Sequence, residues 1–122
     1  MLINNTGNVN IFVNFSSNVN GSQLLTGQTG ADVSDFLFSV RNGTPTATGD
    51  GSQAGCYNIS VGPYTWYPVN NSVGGTRASL ICQNLTYTST NYTFTIEYNV
   101  TIEPDLPTGS KTATITISCG QS

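Results

Sequence analysis

Nine asparagines stand two residues before a Ser or Thr with no proline between: Asn4, Asn14, Asn20, Asn42, Asn58, Asn70, Asn84, Asn91 and Asn99. Each is an acceptor pattern for an N-linked glycan, carried on the side-chain amide nitrogen. The chain has 14 Asn, and 31 of its 122 residues are Ser or Thr. A random arrangement of that composition would give about three or four such patterns, so nine is an excess. Asn42 is the weakest acceptor, because Pro45 follows its Thr44.

The other reactive side chains are Cys56, Cys82 and Cys119. An odd count leaves one thiol outside any internal bridge, and three pairings are formally open. Cys56 opens Cys-Tyr-Asn-Ile-Ser and Cys82 opens Cys-Gln-Asn-Leu-Thr, the same spacing from thiol to sequon. On strands that spacing gives both thiols the outward parity of their Asn. Cys56–Cys82 is then the most economical disulfide, worth roughly 3 kcal/mol by loop entropy. Cys119 has the parity of Ile115 and Ile117 and is expected to be a buried free thiol. The alternative is three unpaired core cysteines, since free Cys is often buried. A disulfide and N-glycans both point outside the cytosol, to a secreted or cell-surface protein.

Much other chemistry is missing. The chain has no His, so Ser-His-Asp and Cys-His arrangements and His-based metal sites are excluded. A glycosidase-type pair needs two acids across a cleft; here the acids fall in turns or on a regular polar strand face. Asp32 and Asp35, with Asp50 elsewhere, offer at most weak Ca²⁺ binding, and solvated turn residues are the commoner case. Gly49-Asp50-Gly51-Ser52 lacks the Lys and the following helix of a phosphate loop. Trp66, in Tyr64-Thr65-Trp66-Tyr67-Pro68, is the best candidate for stacking on a sugar, although aromatics more often serve a core. Three basic residues cannot neutralise a run of phosphates. The chain is therefore expected to have no enzymatic activity, cofactor, metal, nucleic-acid partner or small-molecule substrate. No apolar run approaches the roughly 20 residues that span a bilayer, so no membrane insertion is expected. Met1-Leu2-Ile3 runs straight into Asn4-Asn5-Thr6 without the pattern of a signal peptide, and the sequence reads as a mature chain or part of a larger object.

The elements that must carry the sequons are strands. Only nine residues are charged, three basic and six acidic. Asn, Ser, Thr and Gly supply the polarity, a mix that disfavours helices. Strand candidates are 8–16, 33–40, 56–61, 65–69, 77–87, 92–103 and 110–119, with a short one before Gly7. Asn20-Gly21, Gly62-Pro63, Gly74-Gly75 and Pro104 to Gly109 mark turns, and the last of these predicts a hairpin between the final two strands. No stretch shows an apolar helical period with caps. Residues 1–122 are expected to form a single all-β domain, a two-sheet β-sandwich (jelly-roll or Ig-like) of about seven strands. A closed barrel is the second choice. Alternation along the strands puts Asn14, Asn58, Asn84, Asn91 and Asn99 on outward faces, while Asn20, Asn42 and Asn70 fall in turns.

Two segments, Asn4-Asn5-Thr6-Gly7-Asn8-Val9-Asn10-Ile11 and Asn99 to Glu103 followed by Thr112-Ala113-Thr114-Ile115-Thr116, carry a resemblance. The chain resembles secreted prokaryotic β-sandwich filament subunits, the TasA/camelysin-type biofilm fibres and archaeal donor-strand pili and threads. That resemblance implies a jelly-roll-like sandwich, surface glycosylation and assembly with copies of itself into a helical homopolymer by donor-strand complementation. In those families a strand usually precedes the first of these segments, and here almost nothing does. The residues themselves offer 1–13 as a candidate donor strand, with Val9, Ile11 and Val13 as its alternating apolar set and Gly7 as a hinge. Residues 112–119 are the other candidate. The function expected is a structural subunit of an extracellular glycosylated filament. The rival expectations are a module of a larger S-layer or adhesin glycoprotein and a carbohydrate-binding module using Trp66, Tyr64 and Tyr67.

Overall fold

The structure is a computed structural model that describes residues 1–42, 65–69, 72–73, 76–77, 80–87 and 93–122. Among these residues nine strands follow in order: β1 (Leu2–Asn4), β2 (Ile11–Ser17), β3 (Phe36–Asn42), β4 (Tyr67–Pro68), β5 (Ser72–Val73), β6 (Thr76–Arg77), β7 (Leu80–Leu85), β8 (Thr93–Val100) and β9 (Ile115–Gln121). A four-stranded sheet has the order β1-β8-β3-β4, and a three-stranded sheet the order β7-β2-β9. All pairings are antiparallel, and β5–β6 is a separate small hairpin. The all-β two-sheet sandwich expected from the alternation is the architecture observed.

Alternation explains the core. Val13 and Phe15 point inward from β2; Phe36, Phe38 and Val40 from β3; Phe94 and Ile96 from β8; all are buried. The Phe15 and Phe38 rings meet across the sandwich with centroids 4.6 Å apart, a contact type worth about 0.5–1.5 kcal/mol beyond area burial.

The final pair of strands is not a hairpin. β8 lies in the four-stranded sheet and β9 in the other, so the intervening segment crosses the sandwich. β8 ends at Val100 and β9 begins at Ile115, too wide a gap for the two- to five-residue loops typical of hairpins. The inward row of β8 also moves out of the core as it proceeds: Tyr98 is only partly covered, and Val100 and, past the strand's end, Ile102 are exposed. A corner crossing between sheets uses the same Pro, Asp and Gly residues as a hairpin turn, and the sequence pattern does not separate the two.

Two short helical turns lie where none was expected. A single turn, α1 (Gly21–Leu24), is started by Asn20, whose side chain caps Gln23 while Gln23 caps Asn20 in return. Val33–Asp35 forms a 3₁₀ turn with the same reciprocal capping between Asp32 and Asp35, so β3 starts at Phe36 instead of Val33. One turn is too short to show an apolar period, and an Asn-x-x-Gln capping box is the one signal it leaves in the sequence. The strand candidate 56–61 lies outside the described residues.

Candidate functional site

Asn4 on β1 and Asn99 on β8 are exposed, and Asn14 on β2, Asn20 and Asn84 on β7 are half-buried. Asn20 Oδ1 accepts from Gln23 N at 3.0 Å and from Ser22 Oγ at 2.9 Å. Asn84 Oδ1 accepts from Ser122 Oγ at 3.0 Å. These contacts occupy oxygens. Among the described residues none of the five donates a hydrogen bond from Nδ2, the atom that would carry the sugar. Asn5, which is not in a sequon, is the opposite case. It is buried, and its Nδ2 donates to Val9 O at 2.8 Å and Leu85 O at 2.9 Å. Asn42 closes β3, while Asn58, Asn70 and Asn91 lie outside the described residues.

The thiols need two corrections. Cys82 is not outward but fully buried in the core, opposite Val13. The β2–β7 register shifts on both sides of Val13, and Ile81 and Cys82 are both buried in succession. Such irregularities break the period of two on which the outward assignment rested. Cys82 is disulfide-bonded; Cys56 lies outside the described residues. Cys119 is a free thiol, as expected, but exposed instead of buried. It has inward parity yet sits near the end of an edge strand, where no described residue covers it.

The segment 1–13 is not one separable strand. Val9 is exposed, and Val13 is fully buried. Ile11 and Val13 belong to β2, the central strand of its sheet, held by β7 on one side and β9 on the other. Removing β2 would dismantle the domain, which corrects the expectation of 1–13 as one donor strand with Val9, Ile11 and Val13 as its apolar set. The peripheral part is β1, paired with β8 at Leu2, Ile3 and Asn4. Asn5 then fixes the chain: beyond its two Nδ2 bonds, its Oδ1 accepts from Gly7 N at 3.0 Å.

Tyr67 and Trp66 part company. Tyr67 packs against the core with its ring 6.0 Å from that of Phe38, whereas Trp66 is exposed and Tyr64 lies outside the described residues. The acids are held by the backbone. Asp32 Oδ1 accepts from Ser34 N at 2.9 Å, and Asp35 Oδ2 from Asp32 N at 2.9 Å. Asp50 lies outside the described residues, and no group of three potential metal ligands occurs among those described. A cleft of about 440 Å³ runs between Gln28, Thr29, Asp35, Glu103 and Asp105.

Gln28, buried and not singled out by the sequence, pins the crossing segment beside that cleft. Its Oε1 accepts from Glu103 N at 2.8 Å, and its Nε2 donates to Asp35 Oδ2 at 3.3 Å. Asp105 Oδ2 accepts from Thr29 N at 3.0 Å. Hydrogen bonds from the Thr29 side chain and backbone hold the Asp105 carboxyl below the ordinary carboxylate range. Burial pushes the Tyr98 phenol up.

No helix among the described residues is long and apolar enough to cross a membrane. Comparison with family models, with curated proteins and with solved structures finds no match.

Proposed function

We propose that this chain is a secreted, N-glycosylated structural subunit that assembles with copies of itself into an extracellular filament, a pilus or biofilm fibre, by exchange of a strand. The observation that carries the reading is the position of β1. It is a short outer strand whose flanking Met1 and own Leu2 are half exposed, and it lies just before the Asn5 anchor. Leaving β8 would cost it three paired positions and the two hydrogen bonds that Met1 exchanges with Ile96, while β8 would keep its seven pairs with β3. A copy of β1 from a neighbour can restore the same bonds, the low-cost route of strand swapping. Repeated head to tail, that exchange gives a fibre.

The accessible sequon amides support a glycosylated exterior, which would discourage face-to-face packing and leave strand edges for contact. The reading includes a Cys56–Cys82 bridge, checked by peptide mapping without reduction. Deletion of Met1 to Asn4 tests the exchange. Circular dichroism should report a folded β domain, and electron micrographs should show no fibres. Ordinary fibres from the shortened chain would refute strand exchange by β1.

A further inference from the structure

The β2–β9 ladder fixes which groups of β9 face outward. Ser122 N donates to Asn10 O at 3.0 Å, and Asn18 N donates to Thr114 O at 3.2 Å. Those pairs lie on the same register as Phe12↔Gly120, Asn14↔Ser118 and Ser16↔Thr116. In an antiparallel pair, hydrogen-bonded and non-hydrogen-bonded positions alternate. Even-numbered residues of β9 therefore spend their N–H and C=O on β2. Those of Ile115, Ile117, Cys119 and Gln121 point to the open side, where no strand pairs with them among the described residues.

Sheet edges are usually blunted by charge, proline, bulges or brevity. β1 has three residues and carries the Asn4 sequon; β4 has two, one of them Pro68. β7 carries the Asn84 sequon and an irregular register. β9 has seven residues with no charge, no proline and no sequon, and its register on β2 is unbroken. Gly120 is its one weak point, and the Phe12 ring covers it so closely that a Cβ there would lie 2.6 Å from the ring.

We propose that β9 is a self-complementary edge that pairs antiparallel with β9 of a second copy, joining two sandwiches side by side. Length selects the occupant. Of the described edges, only another β9 matches four open residues without a bulge or a sequon. Charge agrees, because the chain has a net charge of −3 and β9 brings no like charges together. One register uses every open group: Ile115 opposite Gln121 and Ile117 opposite Cys119, each twice, for about eight main-chain hydrogen bonds. Its two-fold axis passes between the two Ser118 residues, at a non-hydrogen-bonded site with Cα atoms about 4.5 Å apart. This contact does not depend on strand exchange; in a filament it would bind fibres laterally.

The test is disulfide trapping on the full chain with Cys119→Ser to remove the native free thiol. Ser118→Cys should form a covalent dimer under mild oxidation, because its Cα separation suits a disulfide. Thr116→Cys, on the same face but opposite Gly120 of the second copy, should cross-link at least roughly tenfold more slowly, since its thiols are out of reach. Equal cross-linking at both positions, or none at either, would overturn the pairing. So would mapping of the Ser118→Cys bridge to any segment other than β9.

Discussion

Among the described residues β1 and β9 are both sheet edges, and they are built in opposite ways. β1 makes three pairs with β8, extended by two hydrogen bonds between Met1 and Ile96, and leaves the Met1 and Leu2 side chains half exposed. β9 makes seven uninterrupted pairs with β2, and Ile115 and Ile117 pack against the core. The strands left behind differ as well. Without β1, β8 keeps its regular partner β3. Without β9, β2 would keep only β7 among the described strands, with its shifted register, and the cover over Val13 and Phe15 would thin. Whether a strand can be exchanged depends on what its departure exposes. By that measure β1 is the proposed strand to trade, and β9 the proposed edge to recruit.

The largest effect should come from β2, the strand that β9 secures. Phe15→Ala removes the ring stacked on Phe38 and should destabilise the domain by about 3–5 kcal/mol. Leu2→Ala on β1, at a half-exposed position, should stay within about 0.5 kcal/mol. Urea denaturation of the two variants measures the contrast. Comparable losses would mean that β1 is as integral as β2 and would end the asymmetry.

The boundary between the exchangeable and fixed parts lies between two adjacent asparagines. Asn5→Ala strands the buried carbonyl of Leu85, frees the part-buried one of Val9 and should cost about 1–3 kcal/mol. Asn4→Asp should change stability by less than about 0.5 kcal/mol, while the mass of the native protein falls by one glycan. A large stability loss at Asn4, or an unchanged mass, would place the boundary elsewhere.

The sandwich was legible because Val13 and Phe15, Phe36 and Phe38, and Phe94 and Ile96 recur at every second residue, and that period is local. The failures came where a local period cannot report distant geometry. Cys82 looked outward by counting from Asn84, and the shifted pairing around Val13 reversed it. Cys119 looked buried by counting from Ile117, but parity says which way a residue points and not whether anything lies there. β2 looked removable because it is early in the chain, whereas its central place depends on β9, which lies about a hundred residues later. The Asn5 and Gln28 anchors were also invisible, because a buried amide is defined by the carbonyls and amides it reaches across the sequence. The sequons were fully legible as a pattern, and the structure adds that their described Nδ2 atoms are left undonated while that of Asn5 is not.

The smallest effect should come from the segment that leads into β9, and it should depend on pH. Asp105 is exposed and accepts from Thr29, which holds its carboxyl below the ordinary range. A carboxyl with a lower pKa in the folded state binds fewer protons there than in the unfolded chain. The contact therefore stabilises the fold above the unfolded value of about 3.9 and is lost as pH falls through the folded one. Wild type should be slightly more stable than Asp105→Ala near neutral pH, and the two should converge in acid. Added salt should shrink the difference, because an exposed charge is well screened. The Thr29 amide offers a direct readout: its NMR shift should titrate with a midpoint below that of an ordinary Asp. β1 has no ionisable side chain, so Leu2→Ala should show no corresponding acid-dependent difference from wild type. A Thr29 amide that stays flat between about pH 2 and 6 would mean that the crossing segment is held by Gln28 without help from Asp105.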